Sequence, residues 1–174
     1  EGRQSETIVV DEQEDDSRDK NMTPSTPDGL PPEWKTYTNK NFGFTKATCD
    51  WILNLDADEE VSSELEKEIR RVIDNSKENG YWLPRQNIIF GKWIKHSLWW
   101  PDYQLRLFRK NKGTFPCEHI HEYLEVEGRL DYLKSPLTHY NYETVSEFLY
   151  KLDKIYTENE VEVFQKSGKK LNWF

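Results

Sequence analysis

The 174-residue sequence predicts one α/β domain with a mixed central sheet flanked by helices. Two observations support this fold class. Short apolar runs of strand length alternate along the chain with stretches whose apolar residues recur at helical spacing. Aromatic residues make up 14% of the chain, so large rings can build a core although only 35% of the residues are hydrophobic.

The charge and the cysteine content exclude several classes of protein. Lys and Arg total 24 against 32 Asp and Glu, a net charge of −8. Such a surface repels phosphate backbones, so we expect no nucleic-acid partner. Cys49 and Cys117 form no disulfide framework, and no apolar stretch approaches the ~18 residues of a membrane span. We expect a cytoplasmic protein, with peripheral contact to a membrane left open.

Three parts of the chain differ in amino-acid composition and pattern. Residues 1–40 contain an apolar run at 7–10, then a charged run and a Pro-rich segment, which predicts a strand followed by a mobile loop. The strand must join a sheet formed later in the chain, or an upstream portion is absent. Residues 41–142 are the predicted core, and residues 143–174 a C-terminal helix and tail.

Four strands are predicted in the core. Trp51 to Leu55 is short, apolar and bounded by acids, which is typical of a strand buried on both faces. Further strands are predicted at 81–83, 86–90 and 103–108. In the last of these, Tyr103, Leu105 and Leu107 alternate with Gln104, Arg106 and Phe108, which predicts one face of the strand for the first three residues.

Two helices are predicted from capping boxes and apolar spacing. Ser63 with Glu66 marks the start of a helix over 63–75, and Thr144 with Glu147 the start of one that runs to about Gln165. The apolar positions that support them are Leu65, Ile69, Val72 and Ile73 in the first, and Val145, Phe148, Leu149, Leu152, Ile155 and Tyr156 in the second.

Asp56 and Asp58 are the first candidate for chemistry. They follow the end of a buried strand, where open α/β sheets bind ligands. Two carboxylates on an extended segment point the same way and can share Mg²⁺ or Mn²⁺, which leaves positions open for substrate phosphates. The alternative is a solvated acidic approach to the next helix, in which Asp58 or Glu59 favours the helix dipole.

The segment from Trp99 to Arg109 is the second candidate. Asp102 lies beside indoles, which we expect to desolvate it, raise its pKa and suit it to act as a general base. Trp99 and Trp100 offer flat faces to a sugar, and Arg106 can neutralise phosphate oxygens. The alternative is that the tryptophans are core residues and Asp102 a turn acid.

A third candidate is a cluster of zinc-binding residue types. Cys117, His119 and His121 could bind zinc if the segment is extended, although their spacing matches no known zinc motif. For each histidine, His139 included, an ordinary hydrogen-bonded role is the alternative. Motifs for dinucleotide binding, for a P-loop and for a serine nucleophile elbow are absent from the sequence.

Four segments in order resemble family 2 glycosyltransferases, and most closely the subgroup that includes lipopolysaccharide-core glucosyltransferases. They are Asp50 to Glu59, Trp99 to Arg109, His121-Glu122, and Pro136 to Tyr140, and the likeness covers about residues 41–156. The resemblance implies the GT-A fold and inversion at the anomeric carbon of a nucleotide sugar.

The resemblance also implies roles for individual residues. Asp56 lies by the ribose and the metal, and Asp58 ligates the cation. Asp102 is the base, and Arg106 belongs to the nucleotide-sugar site. His139 completes the metal or phosphate site, with His121 and Glu122 as reserve candidates. Asp11 is a nucleotide contact. Trp99 and Trp100 are assigned to the acceptor. The family's first strand and helix have no counterpart here.

The leading hypothesis is therefore an inverting glycosyltransferase of polysaccharide biosynthesis, dependent on Mn²⁺ or Mg²⁺. The expected donor is a UDP-sugar, and the acceptor a hydroxyl of a glycan or glycolipid. The runner-up is a non-catalytic, glycosyltransferase-like module that binds carbohydrate or a partner. A zinc-stabilised interaction domain built on Cys117, His119 and His121 is the third reading.

Overall fold

The computed structural model describes residues 7–10, 32–117, 123–157 and 161. The elements alternate along the chain as the sequence predicts. They are β1 (Thr7–Val10), α1 (Pro32–Lys46), β2 (Trp51–Asn54), β3 (Glu59–Val61), α2 (Ser63–Asn75), β4 (Gly80–Ile89), β5 (Lys92–Trp93), β6 (Asp102–Arg109), β7 (Gly113–Thr114), β8 (Glu125–Val126), β9 (Leu130–Tyr132), β10 (Leu137–Tyr142), α3 (Val145–Tyr150) and a π-helical segment, Lys151–Thr157.

The main sheet is mixed, as the sequence predicts. Six strands run in the order β1-β2-β6-β4-β10-β3, and β5 and β9 also pair with β4. The pairs β1·β2 and β4·β10 are parallel, whereas β2·β6, β6·β4 and β10·β3 are antiparallel. β7 and β8 form a separate small sheet. Strand β4 is thus central, with β6 on one side and β10 on the other.

The N-terminal part of the chain confirms one expectation and corrects another. β1 joins the sheet parallel to β2, with Thr7 opposite Trp51, so the strand pairs with a later part of the chain. The loop predicted through Lys40 is wrong in its second part, because α1 begins at Pro32. Proline lacks a backbone N–H, but the first position of a helix needs none, so Pro32 starts this helix.

Helix α2 has the predicted bounds but a different cap. Ser62, not Ser63, is the N-cap, and its hydroxyl accepts a hydrogen bond from the Leu65 amide at 3.1 Å. Leu65, Ile69 and Ile73 are buried against the sheet, as their spacing predicts. The error is one residue at the helix start, where two adjacent serines offer the same chemistry.

One continuous strand, β4, replaces the two short strands predicted on either side of Pro84. β9 pairs with residues 80–82 of β4 and β10 pairs from Arg85 onward. Pro84 lies between these two stretches, where the hydrogen-bond ladder is interrupted, so its missing N–H is tolerated.

A β-bulge at Arg106 corrects the predicted alternation in β6. Tyr81 of β4 pairs with Leu107, but Trp82 pairs with Leu105, which leaves Arg106 as an extra residue. Leu105 and Leu107 therefore belong to different hydrophobic clusters, on opposite faces of the sheet.

Each face of the sheet packs against one helix. On one face α2 covers a cluster that includes Trp51, Leu83 and Leu137. On the other face α1 supplies Phe44 to a cluster with Phe108. The two layers of apolar side chains fix the sheet between the helices, so that the loops at the carboxyl end of β2 are held in place.

The C-terminal helix is confirmed as far as the structure describes it continuously, from Val145 to Thr157. Thr144 caps α3 by accepting from the Glu147 amide at 3.1 Å, and the helix changes to π-helical geometry at Lys151. The predicted extension to Gln165 lies mostly outside the described residues. Val145, Leu149 and Leu152, predicted as a packing stripe, are exposed. Within the described ranges, every helix is too short or too polar to cross a membrane.

Leu107→Ala should lower the free energy of unfolding by about 2–5 kcal/mol, because Leu107 is fully buried and its truncation leaves a cavity. Urea denaturation followed by circular dichroism measures the change. Leu149→Ala is the matched control, since that side chain is 55% exposed, and should stay within about 0.5 kcal/mol of wild type. Equal losses in the two variants would contradict the assignment of the core.

Candidate active site

The turn between β2 and β3 and the pairing of β3 with β10 bring Asp56 and Asp58 close to His139. Asp56 and Asp58 lie between β2 and β3, in a turn closed by a hydrogen bond from the Glu59 amide to the Asp56 carbonyl. β3 pairs with β10 so that Glu59 lies opposite His139. The Tyr140 amide also donates to the Asp58 carbonyl at 2.9 Å. Asp58 is thereby tied to β10, beside His139.

Four side chains form a continuous row of hydrogen-bonding groups, which we call the Asp58–Asp102 chain. His139 Nε2 lies 3.2 Å from Asp58 Oδ2, and His139 Nδ1 lies 2.6 Å from Asn87 Oδ1. Asn87 Nδ2 donates to Asp102 Oδ2 at 3.0 Å. The predicted metal ligands Asp58 and His139 are therefore linked to the predicted base through one fully buried amide.

Asp102 differs from its sequence-based prediction in its electrostatics. Burial raises the pKa of its carboxyl, but the Asn87 hydrogen bond, the Arg85 charge and hydrogen bond, and the Gln104 hydrogen bond together bring the pKa below its ordinary value. Arg85 Nη2 lies 2.7 Å from Asp102 Oδ2, and Gln104 Nε2 donates to Oδ1 at 2.8 Å. The predicted rise in pKa is therefore wrong, because these partners outweigh desolvation.

Asp56 is paired with two cations. Lys40 Nζ lies 2.7 Å from Asp56 Oδ1, and Arg106 Nη2 forms an ion pair with Oδ2. Burial alone raises the pKa of Asp56, but the charges of Arg106 and Lys40 and their hydrogen bonds lower it to about 2. Asp56 is therefore ionised at neutral pH, with each of its oxygens held by a positive side chain.

The ion pairs continue from Asp56 to Asp102 as a row of alternating charges, which we call the buried ion-pair row. Arg106 also donates to Glu59 Oε1 at 2.7 Å, and the Glu59 side chain is fully buried. Arg85 lies 3.8 Å from the same Glu59 oxygen and reaches Asp102 with its other nitrogens. In order, the row is Lys40, Asp56, Arg106, Glu59, Arg85 and Asp102.

Arg106 is buried within this row. Its Nη2 donates to Asp56 and Glu59, whereas Nε is buried and has no partner among the described residues. The negative charges of Glu59 and Asp56 raise the pKa of Arg106 although burial opposes this. The sequence predicts that Arg106 neutralises a phosphate, but in the structure its charge is already neutralised by the carboxylates of Asp56 and Glu59.

The expected metal set divides into two parts. Asp56 is held by cations, while Asp58 and His139 face one another without an intervening positive side chain in the described contacts. No group of three carboxylate, histidine or cysteine side chains placed to hold a cation occurs in the described residues. The Asp58 carboxylate nevertheless fits Mn²⁺ or Mg²⁺ when substrate phosphates supply further ligands, and the imidazole fits Mn²⁺ better than the harder Mg²⁺.

An open cavity of about 780 Å³ adjoins Asp56 and Asp58. The wall opposite the two aspartates is formed by the end of β10, by α3 and by the π-helical segment that follows α3. Asp102 is not among the lining residues and lies behind His139, along the Asp58–Asp102 chain. The walls are lined by Asp56, Ala57, Asp58, Tyr140, Glu143, Glu147 and Lys151.

The aromatic candidates lie beside this chain. The Trp99 carbonyl is 3.4 Å from Asn87 Nδ2, and Trp100 packs edge-on against Trp93 at 5.0 Å between ring centroids. Both Trp99 and Trp100 are half-buried, so they combine a packing role with partial access to solvent. Their contact with an acceptor stays a prediction.

Several candidates lie outside the described residues: Asp11, His119, His121 and Glu122. Cys117 is described and half-buried, with its sulfur 3.5 Å from Asn41 Nδ2. Of the three proposed zinc ligands, the structure therefore describes only Cys117, and the zinc hypothesis stays a prediction.

Comparison with known proteins identifies the family to which the chain belongs. The family model for glycosyl transferase family 2 matches residues 32–123, more than half of the chain. The chain belongs to glycosyl transferase family 2. Together with the mixed sheet between helices, the family assignment confirms the expected GT-A-type fold and a glycosyltransferase domain.

Three relatives from rickettsiae, each named an uncharacterized glycosyltransferase, are similar to this chain. The proteins of Rickettsia prowazekii and Rickettsia conorii are 25% identical and that of Rickettsia felis 26%, over 154 residues. The alignments cover 81% of this chain and 52%, 54% and 54% of the respective relatives. The chain thus spans about half the length of these relatives. The lipopolysaccharide-core subgroup stays a prediction.

Sequence reasoning missed Lys40, Glu59, Arg85, Asn87 and Gln104. Arg85 and Asn87 carried a visible signal, since they belong to a run of three polar residues inside a strand, and alternate positions of a strand point to the same face. Glu59 was read only as an acid near a helix start. Its burial depends on Arg106, which is 47 residues further along the chain.

Arg106→Met should lower the free energy of unfolding by about 3 kcal/mol at pH 7, because it leaves the fully buried Glu59 carboxylate without its nearest cation. Urea denaturation measures the loss. Arg70→Met is the matched control, since the pair of Arg70 with Glu66 is exposed, and should cost less than about 0.5 kcal/mol. Similar small losses in both variants would argue against a structural role for the buried ion-pair row.

Proposed function

We propose that this chain is the nucleotide-sugar-binding part of an inverting, divalent-cation-dependent glycosyltransferase. It would transfer a sugar from a UDP-sugar to a hydroxyl of a glycan or glycolipid. The observation that carries the proposal is the Asp58–Asp102 chain, which links a cation-binding pair to an ionised carboxylate by three contacts of 2.6–3.2 Å. Family membership supports the reaction class.

Asp58 and His139 are the residues that would hold the cation. Asn87 Oδ1 accepts from His139 Nδ1, so in the neutral ring Nε2 presents a lone pair towards the Asp58 carboxylate. Two acceptors that face each other need a positive charge between them, which a proton on Nε2 or a bound cation would supply. Mn²⁺ or Mg²⁺ supplies Lewis-acid stabilisation of the departing diphosphate.

Asp102 would accept the proton of the acceptor hydroxyl. The oxygen of that hydroxyl attacks the anomeric carbon, the bond from this carbon to the diphosphate oxygen breaks, and the proton passes to Asp102 Oδ. A single base suffices, because an inverting displacement forms no covalent enzyme intermediate. Arg85, Asn87 and Gln104 hold the carboxylate ionised and oriented.

Asp56 fits a contact with ribose hydroxyls better than ligation of the cation. Each carboxylate oxygen has more than one lone pair, so an oxygen paired with Lys40 or Arg106 can still accept from a hydroxyl. A divalent cation at Asp56 would instead be repelled by two positive side chains. Trp99 and Trp100 are assigned to the acceptor on their position near Asp102 and their partial exposure.

UDP should bind in the presence of Mn²⁺ and lose its affinity in EDTA, because four carboxylates line the cavity and repel a free diphosphate. Isothermal titration calorimetry with UDP measures this. Asp58→Asn should weaken binding by at least about tenfold, since one ligand is lost. Asp74→Asn, on the exposed side of α2, is the control and should bind as wild type does. Binding of UDP that is indifferent to EDTA would remove the cation from the proposal.

Asp102→Asn should leave Mn²⁺-dependent UDP binding intact and lower turnover by roughly 10²–10⁴-fold, because the base is lost but the cation site is not. Release of UDP from a panel of UDP-sugars, with and without glycan acceptors, measures turnover. If wild type binds UDP and Mn²⁺ but neither it nor Asp102→Asn releases UDP from any donor, the non-catalytic binding module is the better reading.

A further inference from the structure

The Asn87 side chain is bonded at both ends inside the sheet. Its Nδ2 donates to Asp102 Oδ2 at 3.0 Å and lies 3.4 Å from the Trp99 carbonyl. Both of these neighbours are acceptors, so the amide nitrogen must be on this side and the amide oxygen on the other. The orientation of the amide is thus fixed by chemistry.

This orientation determines which nitrogen of His139 carries hydrogen. Asn87 Oδ1 can only accept, and it lies 2.6 Å from His139 Nδ1, so Nδ1 must be the donor. The remaining nitrogen, Nε2, is the one that faces Asp58 at 3.2 Å. The Asp58 carboxylate also accepts, so a ring protonated on both nitrogens satisfies both contacts; in the neutral ring, the shorter contact with Asn87 favours hydrogen on Nδ1 and leaves Nε2 free for a cation.

We infer that Asn87 is a positioning residue, which fixes the tautomer of His139 and the orientation of Asp102 with a single buried amide. It would touch neither the substrate nor the cation. Its significance for catalysis rests on the proposed function, whereas the hydrogen on Nδ1 rests on the 2.6 Å contact with Asn87. A histidine that ligates a cation through one nitrogen commonly donates from the other to a protein oxygen, and Asn87 supplies that oxygen.

The register of the strands explains why an asparagine serves here. Asn87 lies in β4 directly opposite His139 of β10, and Arg85, two residues earlier on the same face, lies opposite Asp102 of β6. The short amide therefore spans from one neighbouring strand to the other. Aspartate would lack the donor towards Asp102, and leucine would lack both the donor and the acceptor.

The tautomer is measured directly by the ¹⁵N chemical shifts of the His139 ring in cation-free protein at about pH 9. His139→Gln assigns the signals among the four histidines of the chain. We expect Nδ1 to be protonated in wild type. Asn87→Leu should convert the ring mainly to the Nε2–H form and lower Mn²⁺ affinity, read by electron paramagnetic resonance, roughly 10- to 100-fold.

Asn87→Asp separates the two parts of the role. It keeps an acceptor for His139 Nδ1, so the tautomer should be as in wild type. It replaces the donor to Asp102 by a second carboxylate, which repels the base, so kcat should fall with KM nearly unchanged. Asn79→Leu is the matched control. That side chain donates to the Glu127 carbonyl at the far end of β4, roughly 26 Å away at ~3.3 Å per residue, so it should alter neither readout.

An Nε2–H ring in wild type would overturn the inference without any variant. So would a folded Asn87→Leu protein that keeps both the wild-type tautomer and the wild-type Mn²⁺ affinity. If Asn87→Leu fails to fold, wild type still decides the tautomer, and Asn87→Ala, which also removes the acceptor, takes the place of Asn87→Leu in both measurements. A wild-type protein that shows Nδ1–H but binds no Mn²⁺ would sink the cation in the proposed function and leave the assigned tautomer standing.

Discussion

The register of four neighbouring strands is the constraint on which the candidate site depends. β4 holds Arg85 opposite Asp102 of β6 and Asn87 opposite His139 of β10, and β10 in turn holds His139 opposite Glu59 of β3. A slip of one residue would turn every side chain of a strand to the other face. The apolar residues on the same strands, buried against α1 and α2, make such a slip costly. The same strand register therefore determines both the packing of the core and the geometry of the site.

The buried ion-pair row contributes geometry and charge state more than net stability. Burying a charge is costly, and replacing a buried ion pair by apolar residues is often neutral or stabilising. The row instead fixes the protonation states of its carboxyl groups. Positive neighbours hold the pKa values of Asp56 and Asp102 below their ordinary range, while burial raises the pKa of Glu59 although Arg106 opposes it. The first and last carboxylates of the row, Asp56 and Asp102, thus stay ionised against the cost of partial burial.

The parts of the molecule that local patterns specify could be predicted from the sequence. β2 and α2 follow from apolar spacing over a few residues, and Asp56 and Asp58 follow from their place after a buried strand. The partners of these acids could not be predicted, because Arg85, Asn87 and Arg106 reach them only through strand pairing across long stretches of chain. The pKa of Asp102 was misjudged for this reason: the indoles are close in sequence, whereas the deciding Arg85 is close only in space. Helix α1 was missed because prolines suggest a loop unless the helix start is known to fall on one of them.

The bulge at Arg106 bears on why this site would need a cation. By adding one residue to β6, the bulge separates Leu105 and Leu107 onto opposite faces and leaves Arg106 between Asp56 and Glu59. The guanidinium is then buried and its charge is balanced inside the fold. The described walls of the cavity carry Asp56, Asp58, Glu143 and Glu147 against Lys151, which itself pairs with Glu147 at 3.0 Å. A diphosphate entering this space meets net negative charge, so a divalent cation between Asp58 and His139 is the arrangement that would make its binding favourable.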